Sequence, residues 1–235
     1  AGTVELQVAL SFISAAQART NLNAGLSQAP QFDLALAAAQ SEWRDVLSRV
    51  SVTPDAQTSQ EALRVLYTAL YHAHQAPTTL SEPVPAKTFA TNNNNNNYNN
   101  NNNNKVEAGA PGTMYVGMDK KVHPLDPGQK RYLTDMSIWD IHRTQSPLLT
   151  LLSPSIQVDV VRSLVQMYKD GGDLPKWPFL VGYTGGMIGT HANAMIADAM
   201  AKGLGLGPDA GANPVDYKTA YEAMRLQATE PRKIG

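Results

Sequence analysis

The chain contains no cysteine in 235 residues, which excludes disulfides, thiolate zinc sites, iron–sulfur clusters and thiol nucleophiles together. Charge is also scarce. Asp, Glu, Lys and Arg make up 17% of the residues, against roughly 25% in an average soluble domain, so much of the surface must be neutral polar or covered by something else. Neither sign prevails: 19 basic and 20 acidic residues leave a net charge of -1. Electrostatics therefore gives no case for nucleic acid or an anionic membrane as the main ligand. No apolar run approaches the ~20 residues of a membrane-spanning helix, so no membrane insertion is expected. Asn-x-Ser/Thr sequons, a Gly-x-Ser-x-Gly elbow, an HExxH pair and the Gly-Lys-Ser/Thr ending of a phosphate loop are all missing. These absences disfavour N-glycosylation, serine hydrolysis, histidine-bound metal and nucleotide binding. What remains is the chemistry of carboxylates, hydroxyls and imidazoles.

The apolar pattern is mostly helical. Thr3 to Ser11 is the exception, with Val4, Leu6, Val8 and Leu10 alternating against Glu5, Gln7 and Ala9, the period of a half-buried strand. No neighbouring segment offers it a partner, so its sheet is expected outside this sequence. Helical spacing follows after Ser14, again from about Asp33 (Leu34, Leu36, Ala37, Trp43, Leu47, Val50), and from about Ser59 to His74 (Leu63, Leu66, Tyr67, Leu70). Leu80 to Asp135 is rich in Pro and Gly and reads as irregular. Within it Asn92 to Asn104, two blocks of six asparagines around Tyr98, are expected to be disordered, because they cannot bury apolar surface. Helices resume with Asp135 and Ser155 as expected N-caps, Gly171 and Gly172 closing one of them. Two more are expected at about Met187 to Lys202 and Pro214 to Ala228. Helices separated by loops, without internal strands, suggest helical hairpins stacked in a row or a ring.

Two clusters could carry chemistry. In Tyr132 to Arg143, Trp139 neighbours Asp140, which lies three residues before Arg143. An indole face beside a carboxylate and a guanidinium suits a sugar, whose C–H face stacks while vicinal hydroxyls take paired hydrogen bonds. The same residues would equally make a surface salt bridge with Trp139 in the core. The second cluster, Asp170 to Phe179, places Lys176 and Trp177 in a loop pinned by Pro175 and Pro178. Such a loop serves either ligand binding or helix connection. A glycosidase needs two opposed carboxylates. Asp119, Asp135, Asp140 and Asp173 are candidates, but their spacing selects no pair.

Taken together, Tyr67 to His72, Tyr132 to Asp135 leading into Trp139 to Arg143, Gly171 to Pro178, Gly182 to Gly189 and Ile196 to Ala199 resemble glycoside hydrolase family 92, the calcium-dependent α-mannosidases. The resemblance implies a mainly α fold, part of an (α/α)6 barrel preceded by one strand of an N-terminal β-sandwich. It divides the chain into residues 1–12 as the last sandwich strand, 13–56 as a helical linker and 57–235 as the first part of the barrel, with the Asn-rich insertion at 92–104. It also implies an exo-acting, inverting hydrolase of terminal α-mannosyl linkages. Trp139, Asp140, Arg143, Lys176 and Trp177 would bind substrate, Ca2+ would be the cofactor, and the general acid and base would lie outside this chain. The metal ligands are not assigned. The implied partners are mannose-containing glycans and the remaining segments of the same enzyme, in a secreted or periplasmic setting. A non-catalytic mannose-binding helical domain and a plain helical scaffold are the competing expectations.

Overall fold

A computed structural model describes residues 4–28, 31–55, 57–84, 112–206 and 213–231. The Asn-rich insertion expected to be disordered falls outside them. The chain divides into two compact units, Ala1–Ala76 and Pro77–Gly235, whereas the sequence places boundaries at 12 and 56.

The first unit carries helices α1 (Ala15–Gln28), α2 (Phe32–Leu47) and α3 (Gln60–Ala73). Ser59 caps α3 by accepting from the Ala62 N–H at 3.0 Å, which satisfies one of the free donors at a helix start. The α2–α3 contact is aromatic, with Trp43 and Tyr71 ring centroids 4.3 Å apart, and Tyr67 donates to the Val50 carbonyl at 3.0 Å. Gly25 continues α1, which ends at Gln28. The alternating segment at the start forms no ladder with any described residue. Its side chains Val4, Leu6, Val8 and Leu10 are exposed. Alternation specifies which side of a strand is apolar, but a strand exists only through its hydrogen-bonded neighbour, and none of the described residues supplies one.

The second unit corrects the expectation of a strand-free chain. Strands β1 (Thr78–Thr79), β2 (Glu82–Val84), β3 (Gly112–Val116), β4 (Val122–Pro124) and β5 (Leu133–Thr134) lie in the stretch read as irregular. The chain continues through α4 (Ile138–Ile141), α5 (Gln145–Leu152), α6 (Pro154–Gly171), β6 (Pro178–Phe179), β7 (Gly182–Tyr183), α7 (His191–Ala201) and α8 (Tyr217–Thr229). The ladders β2–β3–β4, β1–β5 and β6–β7 are all antiparallel. Strands of two to five residues interrupted by Pro83 and Pro124 are too short to display a period of two.

The central element is α6, which packs against α5, α7, α8 and β5. Val160, Val161, Leu164 and Met167 are fully enclosed, together with Tyr132, Leu133, Met136, Ile138, Leu174 and Ile196. Ser153, not the expected Ser155, occupies the N-cap, because Pro154 is accepted at the first helical position where no N–H partner is needed. Gly172 ends the helix in the left-handed conformation at φ 83°, as its sequence position predicts. Polar residues on α6 tie down the chain that crosses it. Ser163 Oγ accepts from the Leu133 N–H at 2.9 Å and donates to the Asp159 carbonyl at 2.7 Å. Asp159 accepts from the Lys130 N–H at 3.1 Å, and Arg162 donates to the carbonyls of Gly128 and Asn213. These bonds fix the segment that runs into α4.

Candidate functional site

The approach to α4 is shaped by Asp135, which adopts φ 60°, a left-handed conformation open to Asp at modest cost. Its carboxylate does not cap the helix as expected; it accepts from the Leu180 N–H at 3.2 Å. Thr134 Oγ1 donates to the Leu180 carbonyl at 2.9 Å, and the Met136 N–H donates to the Pro178 carbonyl at 3.2 Å. The β6–β7 hairpin is thereby fastened beside the start of α4. Lys176 and Trp177, half-buried, lie immediately before that hairpin.

The sequence clusters thus come from adjacent backbone. Ile138 is buried completely and anchors α4, leaving Trp139, Asp140 and Arg143 exposed. Arg143 does not pair with Asp140; its guanidinium carbon lies 5.1 Å from the Trp139 ring centroid, a cation–π contact. Asp140 Oδ2 accepts from Ser137 Oγ, and its carboxylate forms no ion pair with Arg143. The alternative of a surface salt bridge with a core tryptophan is not the arrangement found. His191, the first residue of α7, meets Trp139 at 6.5 Å and 84°, and lies tilted at 32° against His142 with ring centroids 4.3 Å apart. Burial, His142 and Arg143 together hold the His191 imidazole below its ordinary pKa.

The other carboxylates weighed from sequence are committed to structure. Asp119 accepts from His123 at 2.8 Å and from the Lys121 N–H at 3.0 Å. Asp173 is buried and accepts from Gln227 Nε2. Asp135, as above, is bonded to Leu180. Sequence reading overlooked Asp170, which sits in the last turn of α6 and accepts from Tyr115 OH at 2.8 Å. Desolvation, outweighing the nearby His123 at 3.9 Å, pushes its carboxyl up to about 6. It also overlooked the His142–His191 contact, whose one available signal was a histidine in the motif itself and another at a helix start.

The loop bearing Lys176 and Trp177 is held at both ends. Tyr183 OH lies 2.7 Å from the carbonyls of both Met167 and Asp173, to either of which its single hydrogen can be donated, and Thr184 Oγ1 donates to the Trp177 carbonyl at 3.1 Å. Gly171 admits this approach, since a Cβ there would fall 2.3 Å from Tyr183 OH. Among the described residues no three His, Asp or Glu side chains converge as a metal site. No helix among them is long and apolar enough to cross a membrane.

Comparison with known proteins agrees with these motifs. The profile described as the glycosyl hydrolase family 92 catalytic domain matches residues 17–234. Sequence comparison with curated proteins finds no match. Among solved structures, a family GH92 inverting mannosidase from Bacteroides thetaiotaomicron VPI-5482 superposes with a TM-score of 0.71 at 27% identity, over 95% of this chain and 25% of that one. A family GH92 α-mannosidase from Bacteroides thetaiotaomicron, at 24% identity, gives the same TM-score over 95% of this chain and 25% of its own. Its complex with mannoimidazole also superposes at 0.71, over 24% of that chain. The chain therefore spans about a quarter of the length of these neighbours.

Proposed function

Because the chain belongs to glycosyl hydrolase family 92, with 17–234 matching its catalytic domain, we propose that it supplies the sugar-recognition part of an α-mannosidase. The observation that carries this reading is the surface group at α4, where an exposed indole, an Asp140 carboxylate without a cationic partner and a guanidinium stand on adjacent residues. A sugar packs its C–H face on Trp139, and the free lone pairs of Asp140 accept two vicinal hydroxyls. Arg143, held against the Trp139 ring, donates to substituents at the edge of the sugar, and Lys176 and Trp177 are assigned to the same subsite. Charge-assisted hydrogen bonds of this kind are short and directional, so they hold one hydroxyl configuration in preference to others.

The finer reading is an exo-acting, inverting enzyme of terminal α-mannosyl linkages, built on an (α/α)6 barrel with an N-terminal β-sandwich. Inversion requires one carboxyl to protonate the leaving oxygen and another to activate water on the opposite face. Asp119, Asp135 and Asp173 are engaged in structural hydrogen bonds, and both roles are assigned, as the resemblance implies, to residues outside this chain. Calcium ligands and export belong to the same proposal and likewise rest on the family. The commitment of Asp119, Asp135 and Asp173 to structural hydrogen bonds also favours the second reading, a mannose-binding domain without hydrolysis.

The experiment is Asp140→Ala in the full-length protein. Loss of about 100-fold or more in kcat/KM on an α-mannoside, equivalent to about 2.7 kcal/mol of transition-state binding, with unchanged thermal unfolding is expected. Wild-type turnover in the variant would remove Asp140 from the site. Saturable mannose binding without any turnover in the wild type would favour the second reading.

A further inference from the structure

Two imidazoles border the proposed subsite without having been assigned a part in it. His142 Nδ1 lies 3.0 Å from the Ile138 carbonyl. A carbonyl only accepts, so Nδ1 carries the hydrogen and Nε2 of the neutral ring is left as an acceptor. The Ile188 carbonyl accepts from the His191 ring and by itself favours the charged form, but burial, His142 and Arg143 outweigh it. Gly189 makes room for that ring: its φ is 78°, and a Cβ there would lie 2.5 Å from His191 Cε1. The charged groups acting on His191 are His142 and Arg143, from α4 and the turn after it. Among the described residues of α6 and α8, which also pack near α7, no charge acts on it. Asp198 and Lys202, farther along α7, are paired with each other at 2.7 Å. The positive end of the α7 dipole adds to the cost of a cation at its first residue.

We propose that His191 is a sugar-contacting residue, its imidazole standing at right angles to Trp139 and accepting a hydrogen bond from a hydroxyl of the pyranose packed on that indole. The inference rests on the sugar-site reading above and deepens it. Trp139 is the floor of a corner and His191 one wall, while His142, tilted against His191, is a positioning residue that keeps the wall neutral. A protonated His191 has no lone pair to offer, so binding is expected to weaken on acidification.

The test is calorimetric titration of the full-length protein with mannose from about pH 5 to about pH 8, the range in which imidazoles change charge. In the wild type, affinity falls as pH drops through the His191 pKa, below 6.5. His191→Ala weakens binding about three- to tenfold at neutral pH, the worth of one hydrogen bond, and flattens the acid limb. His191→Asn keeps a carbonyl acceptor without a titrating group; it retains most of the affinity with a flat profile. His142→Phe preserves the neighbouring ring, removes its charge and moves the acid limb to higher pH. Wild-type affinity and pH profile in His191→Ala, with binding lost in Asp140→Ala, would overturn the His191 assignment and leave the subsite standing. Mannose binding that ignores both substitutions, or is absent from the wild type, would instead overturn the subsite itself.

Discussion

Two polar clusters in the unit formed by residues 77–235 differ in how their hydrogen-bonding capacity is spent. Around the β3–β4 hairpin, Asp170 is bonded to Tyr115 and Asp119 to both His123 and the Lys121 N–H, so the group largely satisfies itself. Tyr115 is also buried and stacked on Tyr132 at 4.0 Å. At α4 the same residue types are arranged the other way: Asp140 keeps one carboxylate oxygen outside its bond to Ser137, and Arg143 lies on an indole instead of a carboxylate. Inward-facing polar groups that bond to one another mark packing; outward-facing ones with capacity to spare mark recognition. The contrast explains why Asp119, an equally plausible acid in the sequence, is structural, while Asp140 is available to a ligand.

The most direct way to break this contrast is to remove one charge from each cluster. Asp140→Asn should lower mannosidase kcat/KM of the full-length protein by about 100-fold, since the uncharged amide loses charge-assisted acceptance, while leaving the unfolding midpoint unchanged. Asp170→Asn should leave turnover within about twofold and act on stability alone. Similar losses of turnover in both variants would erase the distinction. A smaller effect is expected at Gly171, where an added Cβ meets Tyr183 OH at 2.3 Å and Met118 Cβ at 2.8 Å. Gly171→Ala should destabilise by about 1–3 kcal/mol, the usual range for overpacking, and displace the loop carrying Trp177. Its quenched or shifted tryptophan emission is the readout.

The helices were legible because α6 and α8 bury, and α3 half-buries, residues at helical spacing, and because Gly172 is the left-handed terminator its position implies. The strands were not, since β1, β5, β6 and β7 are two residues long and exist through tertiary hydrogen bonds. The cap assigned to Asp135 failed for a related reason: its side chain bonds to Leu180, 45 residues away, and no local pattern encodes that choice. The proposed sugar site is a reading of a local motif, because Trp139, Asp140 and Arg143 lie within five residues. The contribution of His191 depends on packing α7 against α4, which sequence spacing does not report.

Finer resolution of the hairpin cluster comes from Tyr115→Phe. It removes the hydrogen bond to Asp170 but retains the ring stacked on Tyr132. A loss of about 1 kcal/mol is expected, that of a buried hydrogen bond whose partner stays behind, measured by denaturant unfolding. No change in stability would mean that Asp170 is satisfied by His123 alone.

The smallest expected effect is a slope of stability with pH. The Asp170 carboxyl is held up at about 6 by desolvation in the folded state, above its ordinary 3.8, so between these values the folded protein binds more protons than the unfolded one. Its contribution is fully present below about pH 4 and is lost as pH rises through about 6. Asp119 runs the opposite way: burial opposes its ionisation, but His123 and the Lys121 N–H outweigh it and lower its pKa. Its contribution is therefore present above 3.8 and fades only as pH falls below that. Between about pH 4 and about pH 6 Asp159, also raised by desolvation, adds to the Asp170 slope, while His191, lowered by burial, His142 and Arg143, opposes it, so the slope that belongs to Asp170 is the part its substitution removes. Thermal unfolding across that window should show stability declining with pH in the wild type, and Asp170→Asn should flatten the decline. A decline that persists in the variant would assign the buried proton to another group, with Asp159, also raised by desolvation, the next to test.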